Sequence, residues 1–445
     1  MATEHTPGLS RRDFIRTTAG TTAGAVAASI VAARPASALP QTAKSAGRVL
    51  GANDRINFAV VGVKGMGGGH LRNLAGELTQ NDNVQVVAIC DVWSKARAKA
   101  CELNKLQESI AYPHYDKMMA AVGKDIDAVV VATPDHWHAA LTIASLNAGK
   151  HVYVEKPMTH TLEEAFKVQA AAKASGKLVQ VGSQGCSDPK WLKAREVVKA
   201  GKLGKVLWAT GSYCRNNPKG EWNYEIDPEG TPETIDWQTW LGPAPKRAFS
   251  AERYFRWRKY WDYGNGIIGD LWPHRLHPLM LAMDIKDYPS RVACMGGDLV
   301  GTDKGPGPDG KPWGDPREVA DTTLMMVEFP SGQMIFLAGA TTNERGVDDV
   351  IRGNKANLLA GGTKLLLQPE RPYTDEIEAS DESVPDSGES HLKHMRNFIQ
   401  SMRTNTPPNC DIELGVRVQT IVSMAETAYR QKRQVSFDET KKRLT

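Results

Sequence analysis

Short apolar runs alternate with amphipathic segments in the first part of the chain. The segments between the runs have helical spacing, and Gly149 follows one of them where a helix would end. Uninterrupted apolar strands joined by helices are typical of a parallel sheet that is covered on both faces. The pattern therefore predicts a doubly wound α/β domain over residues 55–182. The apolar runs are residues 56–61, 84–90, 128–132, 151–154 and 178–181.

The pattern changes after residue 183, where longer strand-like segments follow one another. We expect residues 183–445 to form a second, α+β domain with a mixed, mostly antiparallel open sheet and helices on one face. A chain of 445 residues is also too long for one ordinary core. The predicted strands are 206–213, 290–295, 322–329, 333–340, 347–352 and 364–368, the predicted helices are 188–200, 391–403 and 413–430, and residues 303–315 are predicted to form a surface loop.

The first 38 residues have the organisation of an export signal. Residues 10–15 read SRRDFI, a long and weakly apolar run covers 17–33, and residues 36–38 read ASA, a small-x-small cleavage site. The pattern predicts a twin-arginine signal peptide over 1–38, followed by a polar lead-in over 39–54. The apolar run is poor in Leu and Ile, so we expect a periplasmic or otherwise exported protein without a stable membrane anchor.

The overall composition is that of a globular protein. Hydrophobic residues make up 41% and charged residues 24%, and the net charge is +4. A charge this small gives no reason to expect a nucleic-acid partner. The six cysteines show no C-x-x-C spacing, and we expect most of them to be core thiols.

Residues 60–70, VVGVKGMGGGH, resemble a dinucleotide-binding glycine loop. Gly62 and Gly67 fit the first and third glycines of G-x-G-x-x-G, but Lys64 occupies the second. Backbone N–H groups of such a loop, here including Gly65 and Met66, face the pyrophosphate at a helix N-terminus. We expect Lys64 to add a positive charge near the diphosphate and to help retain the cofactor.

Asp91 follows the second apolar run, 24 residues after Gly67. A carboxylate at this place accepts hydrogen bonds from the adenosine ribose and repels a 2′-phosphate, which favours NAD over NADP. The alternative is a flavodoxin-like domain that binds another ligand or none.

Two further motifs carry a family resemblance. Residues 132–138 read ATPDHWH and residues 149–157 read GKHVYVEKP. Together they resemble the glucose–fructose oxidoreductase/inositol dehydrogenase (Gfo/Idh/MocA) family, and the resemblance extends over nearly the whole mature chain. It implies a Rossmann domain that holds NAD(P) and a second sheet whose face forms the substrate wall. It also implies cofactor contacts from Thr133, Pro134, His138, Glu155 and Lys156, and substrate contacts from His136 and Trp137.

The family resemblance assigns roles to a lysine and to a D-x-x-x-H motif. Lys156 is implied to lie near both nicotinamide and substrate, where it can donate hydrogen bonds to a sugar hydroxyl. Asp270 and His274 match the motif. Oxidation of an alcohol needs a base of near-neutral pKa, so we assign His274 as general acid/base and Asp270 as its partner or a substrate ligand.

The sequence departs from a common family pattern at His277, where many members have Asp. We expect His277 to contact substrate. The departure also allows an alternative hypothesis, a metal site. In it, a divalent metal is bound by Asp270, His274 and His277, with His136 and His138. Because the cofactor motifs already account for two of these residues, we predict no metal.

Aromatic residues are concentrated in residues 208–272, which contain seven of the eleven tryptophans. Aromatic rings stack on sugar faces, and charged groups bind hydroxyls. With Tyr213, Arg215 and Arg258 in the same region, the sequence predicts a small carbohydrate substrate.

The predicted export restricts the reaction, because no free nicotinamide pool is expected outside the cytoplasm. We therefore expect an oxidoreductase that acts on a sugar or glycoside hydroxyl and keeps its NAD tightly bound. The alternative is an NAD-dependent glycoside hydrolase that works by transient C3 oxidation and elimination. A third possibility is a protein that holds a cofactor only as a sensor. The resemblance further implies a homo-oligomer, either a dimer or a tetramer.

Overall fold

The computed structural model describes residues 54–300 and 317–445. The predicted signal peptide and the predicted surface loop at 303–315 lie outside the described residues. No helix within the described ranges is long and apolar enough to cross a membrane.

The first sheet has six parallel strands in the order β3-β2-β1-β4-β5-β6, which confirms the predicted Rossmann arrangement. Its central strand β4 is buried along its whole length, because helices cover both faces of the sheet. The six strands are β1 Ile56–Val61, β2 Val84–Cys90, β3 Ala111–Tyr112, β4 Ala128–Val131, β5 His151–Glu155 and β6 Val179–Gly182.

Five helices connect these strands. Helix α5 has the clearest sequence signals for the start and end of a helix. It begins with a capping box between Thr161 and Glu164 and ends at Gly176 in the left-handed conformation. Helix α1 is followed by the segment Leu74–Leu78, which is kinked at the non-helical Gly76, and by a further turn, Thr79–Asn81. The helices are α1 Met66–Asn73, α2 Ser94–Asn104, α3 Tyr115–Val122, α4 His138–Asn147 and α5 Leu162–Ser175.

The second sheet has ten strands in the order β14-β13-β12-β11-β7-β10-β9-β8-β15-β16. Strands β7 and β10 pair in parallel, and the other neighbours pair antiparallel, as the sequence predicted. The strands are β7 Val206–Cys214, β8 Arg291–Gly297, β9 Thr322–Glu328, β10 Met334–Ala340, β11 Val350–Gly353, β12 Ala356–Leu359, β13 Leu366–Pro369, β14 Ser380–Asp381, β15 Val435–Asp438 and β16 Arg443–Leu444.

Helices cover one face of the second sheet, and its other face is open. Burial alternates along β9, whose outward side chains Leu324 and Met326 are about half exposed. Met295 on β8 extends this apolar face. The helices of this half are α6 Pro189–Lys199, α7 Trp237–Leu241, α8 Ala251–Phe255, α9 Gly266–Asp270, α10 Pro273–Ala282, α11 His391–Thr404 and α12 Ile412–Gln431.

The chain between β7 and α9, residues 215–263, folds back over the first sheet, and we call it the strap. Trp93 forms an isolated bridge with Ile235 of the strap, and the backbone N–H of Asp236 donates to the carbonyl of Val92. Lys95 forms an ion pair with Asp227 at 2.9 Å. These contacts attach the strap to the segment that follows β2.

Candidate active site

A cavity of about 680 Å³ lies over the carboxyl ends of the first sheet's strands. In open parallel sheets, ligands bind at this edge. The strap and the start of α10 form its other walls. The predicted residues that line it are Gly62, Lys64, Gly65, Met66, Asp91, Thr133, Pro134, Trp137, His138, Glu155, Lys156, Tyr213, Arg215, Arg258, Asp270 and His274.

The glycine loop combines close backbone packing at Gly62 and Gly67 with open space at Gly65. Gly62 has a φ of +82°, and a Cβ there would lie 2.6 Å from the carbonyl oxygen of Ala132. A Cβ on Gly67 would lie 1.8 Å from the carbonyl oxygen of Gly62, so this glycine serves the packing of α1 and does not line the cavity. Helix α1 has no side-chain cap at Gly65, so its first N–H groups are open to an anion. This geometry fits a dinucleotide pyrophosphate.

Asp91 has the position expected of a ribose ligand. Its carboxylate accepts hydrogen bonds from the backbone N–H groups of Val63, at 3.0 Å, and Trp93, at 2.9 Å. These bonds fix the carboxylate at the cavity wall and leave further lone pairs for hydroxyl groups. The fit to a dinucleotide thus extends from the pyrophosphate to the ribose.

Lys64 contacts one aromatic ring from the segment after β2 and one from the strap. Its Nζ lies 3.9 Å from the ring centroid of Phe255 in the strap and 4.8 Å from that of Trp93. Burial lowers the pKa of Lys64, while Asp227 and Asp91 oppose this effect. The side chain therefore joins the glycine loop to the strap beside the nucleotide end of the cavity.

The ring nitrogens of the first family motif lie within hydrogen-bonding distance of backbone carbonyl oxygens. His138 Nδ1 lies 2.7 Å from the carbonyl oxygen of Pro157, and Nε2 lies 2.8 Å from that of Thr133. His138 thereby connects the loops that follow β4 and β5. Trp137 Nε1 donates to the carbonyl of Trp240 at 2.8 Å, and His136 Nε2 lies 2.9 Å from the same oxygen.

Lys156 and Asp270 meet on the cavity wall. Lys156 Nζ donates to the Asp270 carboxylate at 2.8 Å and to its carbonyl oxygen at 2.7 Å. Arg258 Nε donates to the same carboxylate at 3.0 Å, and Trp222 Nε1 donates to its second oxygen at 3.2 Å. Burial alone would raise the pKa of Asp270, but Lys156 and Arg258 outweigh it and hold the pKa below its ordinary value. Asp270 is therefore an ion-paired carboxylate.

His274 lies on the same wall but is not hydrogen-bonded to Asp270. Its ring stacks on Tyr213 with a centroid distance of 4.8 Å, and its Nδ1 lies 3.4 Å from Gln184 Nε2. Burial, followed by the charge of Lys156, holds the pKa of His274 well below 6.5. This pKa is lower than the near-neutral value that the sequence led us to expect of the base. The imidazole is therefore neutral at neutral pH and can accept a proton. The expected direct pairing of Asp270 with His274 is replaced by the pairing of Asp270 with Lys156 and Arg258.

Two predicted substrate ligands do not line the cavity. His136 is buried beneath the strap, where burial lowers its pKa to about 3. His277 lies on α10, and its Nδ1 is 2.9 Å from the carbonyl oxygen of Pro273. Burial lowers the pKa of His277 to about 4. His274 and His277 are three residues apart and lie on nearly the same side of α10, but the His277 ring is bonded back to the Pro273 carbonyl and buried outside the cavity lining.

The rival metal set does not assemble. Within the described residues, the one group of three whose ligand atoms lie within 4.8 Å of one another is His70, Glu155 and His391. His70 Nε2 and Glu155 Oε1 are 2.6 Å apart, which is a hydrogen bond. Two ligands of one zinc ion, each bonded at about 2.0–2.2 Å, would be about 3 Å apart or more. This group therefore serves to orient Glu155 beside Lys156.

Sequence reasoning missed several residues of the cavity wall. Asp135 is inside the first motif, but no role was assigned to it, although its position between two predicted site residues was a usable signal. Gln184 and His391 also line the cavity. Trp222 was noted only as one tryptophan of a cluster, because nothing in its local sequence distinguishes it as the partner of Asp270.

Two family models match the chain, and together they cover more than half of it. One, described as "Oxidoreductase family, NAD-binding Rossmann fold", matches residues 56–183, and the other, "Oxidoreductase family, C-terminal alpha/beta domain", matches residues 190–296. The chain belongs to the Gfo/Idh/MocA oxidoreductase family. The resemblance noted in the motifs is thereby confirmed.

Relatives in this family carry two kinds of name. The inositol 2-dehydrogenase of Salmonella typhimurium is 29% identical over 42% of the chain and 54% of its own length, so the chain spans about half of that relative. A glycosyl hydrolase family 109 protein of Solibacter usitatus is 23% identical over 81% of the chain and 82% of its own length. A levoglucosan dehydrogenase solved with NADH and levoglucosan is 17% identical, with a TM-score of 0.64 over 86% of the chain and 99% of that structure, and supports the fold.

Proposed function

We propose that this Gfo/Idh/MocA protein is an NAD-dependent oxidoreductase that acts on a hydroxyl group of a sugar or glycoside. The observation that carries the proposal is the position of Lys156, Asp270 and His274 on the wall of the cavity that the glycine loop opens into. Names of relatives support it, since they include an inositol dehydrogenase and a levoglucosan dehydrogenase.

The side chains of this wall have separate roles in alcohol oxidation. Two hydrogen bonds to Asp270 orient the Lys156 ammonium, and its third proton remains for a substrate oxygen. His274, neutral at neutral pH, accepts the hydroxyl proton. Bound NAD supplies a reversible acceptor for the hydride. Tyr213, stacked on His274, fixes the plane of the base.

Tight retention of NAD is part of the proposal. The strap covers the cavity and is attached to the segment after β2 on one side and to Trp137 on the other. A dinucleotide in the cavity would thus be enclosed by both halves of the chain. Asp91 favours NAD over NADP, because a 2′-phosphate would meet its negative charge. Retention suits a protein exported through the twin-arginine route, which we also propose.

A redox-neutral glycoside hydrolase is the second candidate. It is favoured by the glycosyl hydrolase family 109 relative, which aligns over about four fifths of the chain, whereas the inositol dehydrogenase aligns over less than half. In this reaction, oxidation at C3 acidifies the C2 proton, the C1 substituent leaves, water adds and the ketone is reduced again.

We also propose a homodimer or tetramer. The open face of the second sheet exposes Met295, Leu324 and Met326, and apolar patches of this kind are typical of interfaces. Light scattering on the purified protein would measure the mass of the assembly. A monomer at micromolar concentration would contradict this proposal.

The decisive experiment begins with purified protein to which no NAD has been added. Mass spectrometry after denaturation should release NAD, and its absence would contradict tight retention. Sugars should then reduce the bound cofactor, which absorbance at 340 nm would report. Stoichiometric keto-sugar formation, reset by a second carbonyl compound, supports the oxidoreductase. Repeated release of aglycone from aryl glycosides, lost when the C3 hydroxyl is removed, supports the hydrolase.

A further inference from the structure

Asp135 is a buried acid that the proposed oxidation does not use. It lies in the turn between β4 and α4, is 3% exposed, and lines the cavity between Pro134 and Trp137. Its carboxyl forms no hydrogen bond and no ion pair within 4.0 Å with any other described residue. It differs in this respect from Asp270, whose carboxylate accepts three hydrogen bonds.

The surroundings of Asp135 are shaped to hold a carboxyl group without neutralising it. A Cβ on Gly264 would lie 3.0 Å from Asp135 Oδ2 and 2.9 Å from the ring of Trp257, so only a glycine leaves space here. Burial raises the pKa of Asp135 well above its ordinary value. Arg258 and Lys156 oppose this rise, while Asp270 and Glu155 reinforce it.

The charges of Arg258 and Lys156 are already committed. Both donate hydrogen bonds to Oδ1 of Asp270. Two carboxyl groups that share one pair of cations in a buried site do not both ionise easily, so the group with direct ion pairs takes the charge and the other keeps its proton.

We propose that Asp135 is a neutral carboxylic acid that donates its proton to the leaving oxygen of a glycoside. This inference rests on the proposed function in its glycoside-hydrolase form. Oxidation of an alcohol requires the base His274 and the donor Lys156, and this reaction does not use the acid Asp135. Departure of a C1 alcohol requires such an acid, because an alkoxide is a poor leaving group.

The step balances within the cavity and the solvent. In the 3-keto glycoside, the C2–H bond breaks, its electron pair forms the C1=C2 double bond, and the C2 proton passes to water. The C1–O bond breaks with its electron pair on the leaving oxygen, which takes the proton of Asp135. When water then adds, its oxygen bonds to C1, its proton returns to the Asp135 carboxylate, and C2 takes a proton from solvent.

Asp135→Asn tests the role through the leaving group. An alkyl glycoside should lose about 10²–10⁴-fold in kcat, the range typical of general-acid catalysis. A 2,4-dinitrophenyl glycoside, whose leaving group needs no proton, should change by no more than a few fold. Reduction of the bound cofactor in a single turnover, followed at 340 nm, should be retained. Equal losses on both glycosides, or no loss on either, would overturn the proposal.

The protonation state has its own readout in protein stability. A neutral Asp135 replaced by Asn exchanges one neutral polar group for another, so the thermal midpoint at pH 7 should stay the same or rise. An ionised Asp135 attracted by Arg258 would make the same variant less stable, and this result would contradict the proposal. Asp270→Asn is the matched control, and it should lower the midpoint because it removes an ion-paired carboxylate.

The outcomes separate this inference from the proposed function. Wild-type protein that oxidises sugars but releases no aglycone from any glycoside would overturn the role of Asp135 and leave the oxidoreductase intact. Wild-type protein that holds no NAD and oxidises no sugar would overturn the proposed function itself.

Discussion

The two ends of the cavity are built in different ways. At the nucleotide end, the ligand-facing groups are the uncapped backbone N–H groups at the start of α1, after Gly65, and one carboxylate, Asp91, which backbone N–H groups hold in place. At the substrate end, side chains hold one another. Lys156 from the end of β5 and two residues of the strap, Trp222 and Arg258, converge on Asp270.

The difference affects how each end should respond to substitution. A backbone site loses function when the chain path changes, and it tolerates changes in side chains that point elsewhere. A site of mutually paired charges loses function when any member is removed, because its partner is left buried and unpaired. We therefore expect large losses of turnover from single changes at the substrate end and moderate losses of binding at the nucleotide end.

The largest effect is expected for His274→Asn. Removing the base should reduce turnover by about 10²–10⁴-fold while the bound NAD content stays unchanged. His277→Asn is the matched control on the same helix, and its activity should remain within a few fold because His277 does not line the cavity. Steady-state kinetics of both variants would make the comparison, and equal losses would contradict the separate roles of the two histidines.

The pH dependence of the wild-type protein sharpens the role of His274. The base is active when it is neutral, and its pKa lies well below 6.5 because of burial and the charge of Lys156. Activity should therefore persist as the pH falls through 6.5 and decline only at more acidic pH, where the ring takes up a proton. A profile of kcat against pH that is half-lost near pH 6.5 would contradict this assignment.

Lys156→Met is expected to have the second largest effect. Loss of one positioned donor should reduce turnover by about 10²–10³-fold, the range measured for single donors to a developing oxyanion. Bound NAD, quantified by mass spectrometry, should be retained because the glycine loop is unchanged. Lys150→Met is the control. Lys150 precedes β5 at its opposite end and does not line the cavity, so this variant should keep its activity.

Most of the residues that the sequence predicted for the nucleotide end line the cavity. The glycine loop and Asp91 follow from local motifs. The shared edge at the carboxyl ends of the parallel strands follows from the alternation of apolar runs with helical segments. The third glycine, Gly67, was predicted to contact the cofactor, yet it serves the packing of α1 against Gly62. The departure at Lys64 was recognised, but its aromatic contacts were not, because Phe255 lies 191 residues further along the chain.

The substrate end was predicted only as a set of residues. The structure places Lys156, Asp270 and His274 on one wall of the cavity, but Asp270 pairs with Lys156 and Arg258 and not with His274, the partner expected from the sequence. Pairing depends on how β5, the strap and α9 meet, and no local pattern encodes that packing. For the same reason, spacing along α10 placed His277 in the site, although the helix turns its ring toward the Pro273 carbonyl.

Lys64→Met is expected to have the smallest effect, and it tests the contact between the glycine loop and the strap at the nucleotide end. Each contact of the ammonium with an aromatic ring is worth about 0.5–2 kcal/mol, so its loss should weaken NAD retention by roughly tenfold. The fraction of protein that carries NAD after dialysis would measure this change. Lys95→Met, which breaks a partly exposed ion pair of the strap, should have a smaller effect. If both variants keep their NAD equally well, Lys64 is merely tolerated in the loop, and the enclosure of the cavity by the strap would have to account for retention.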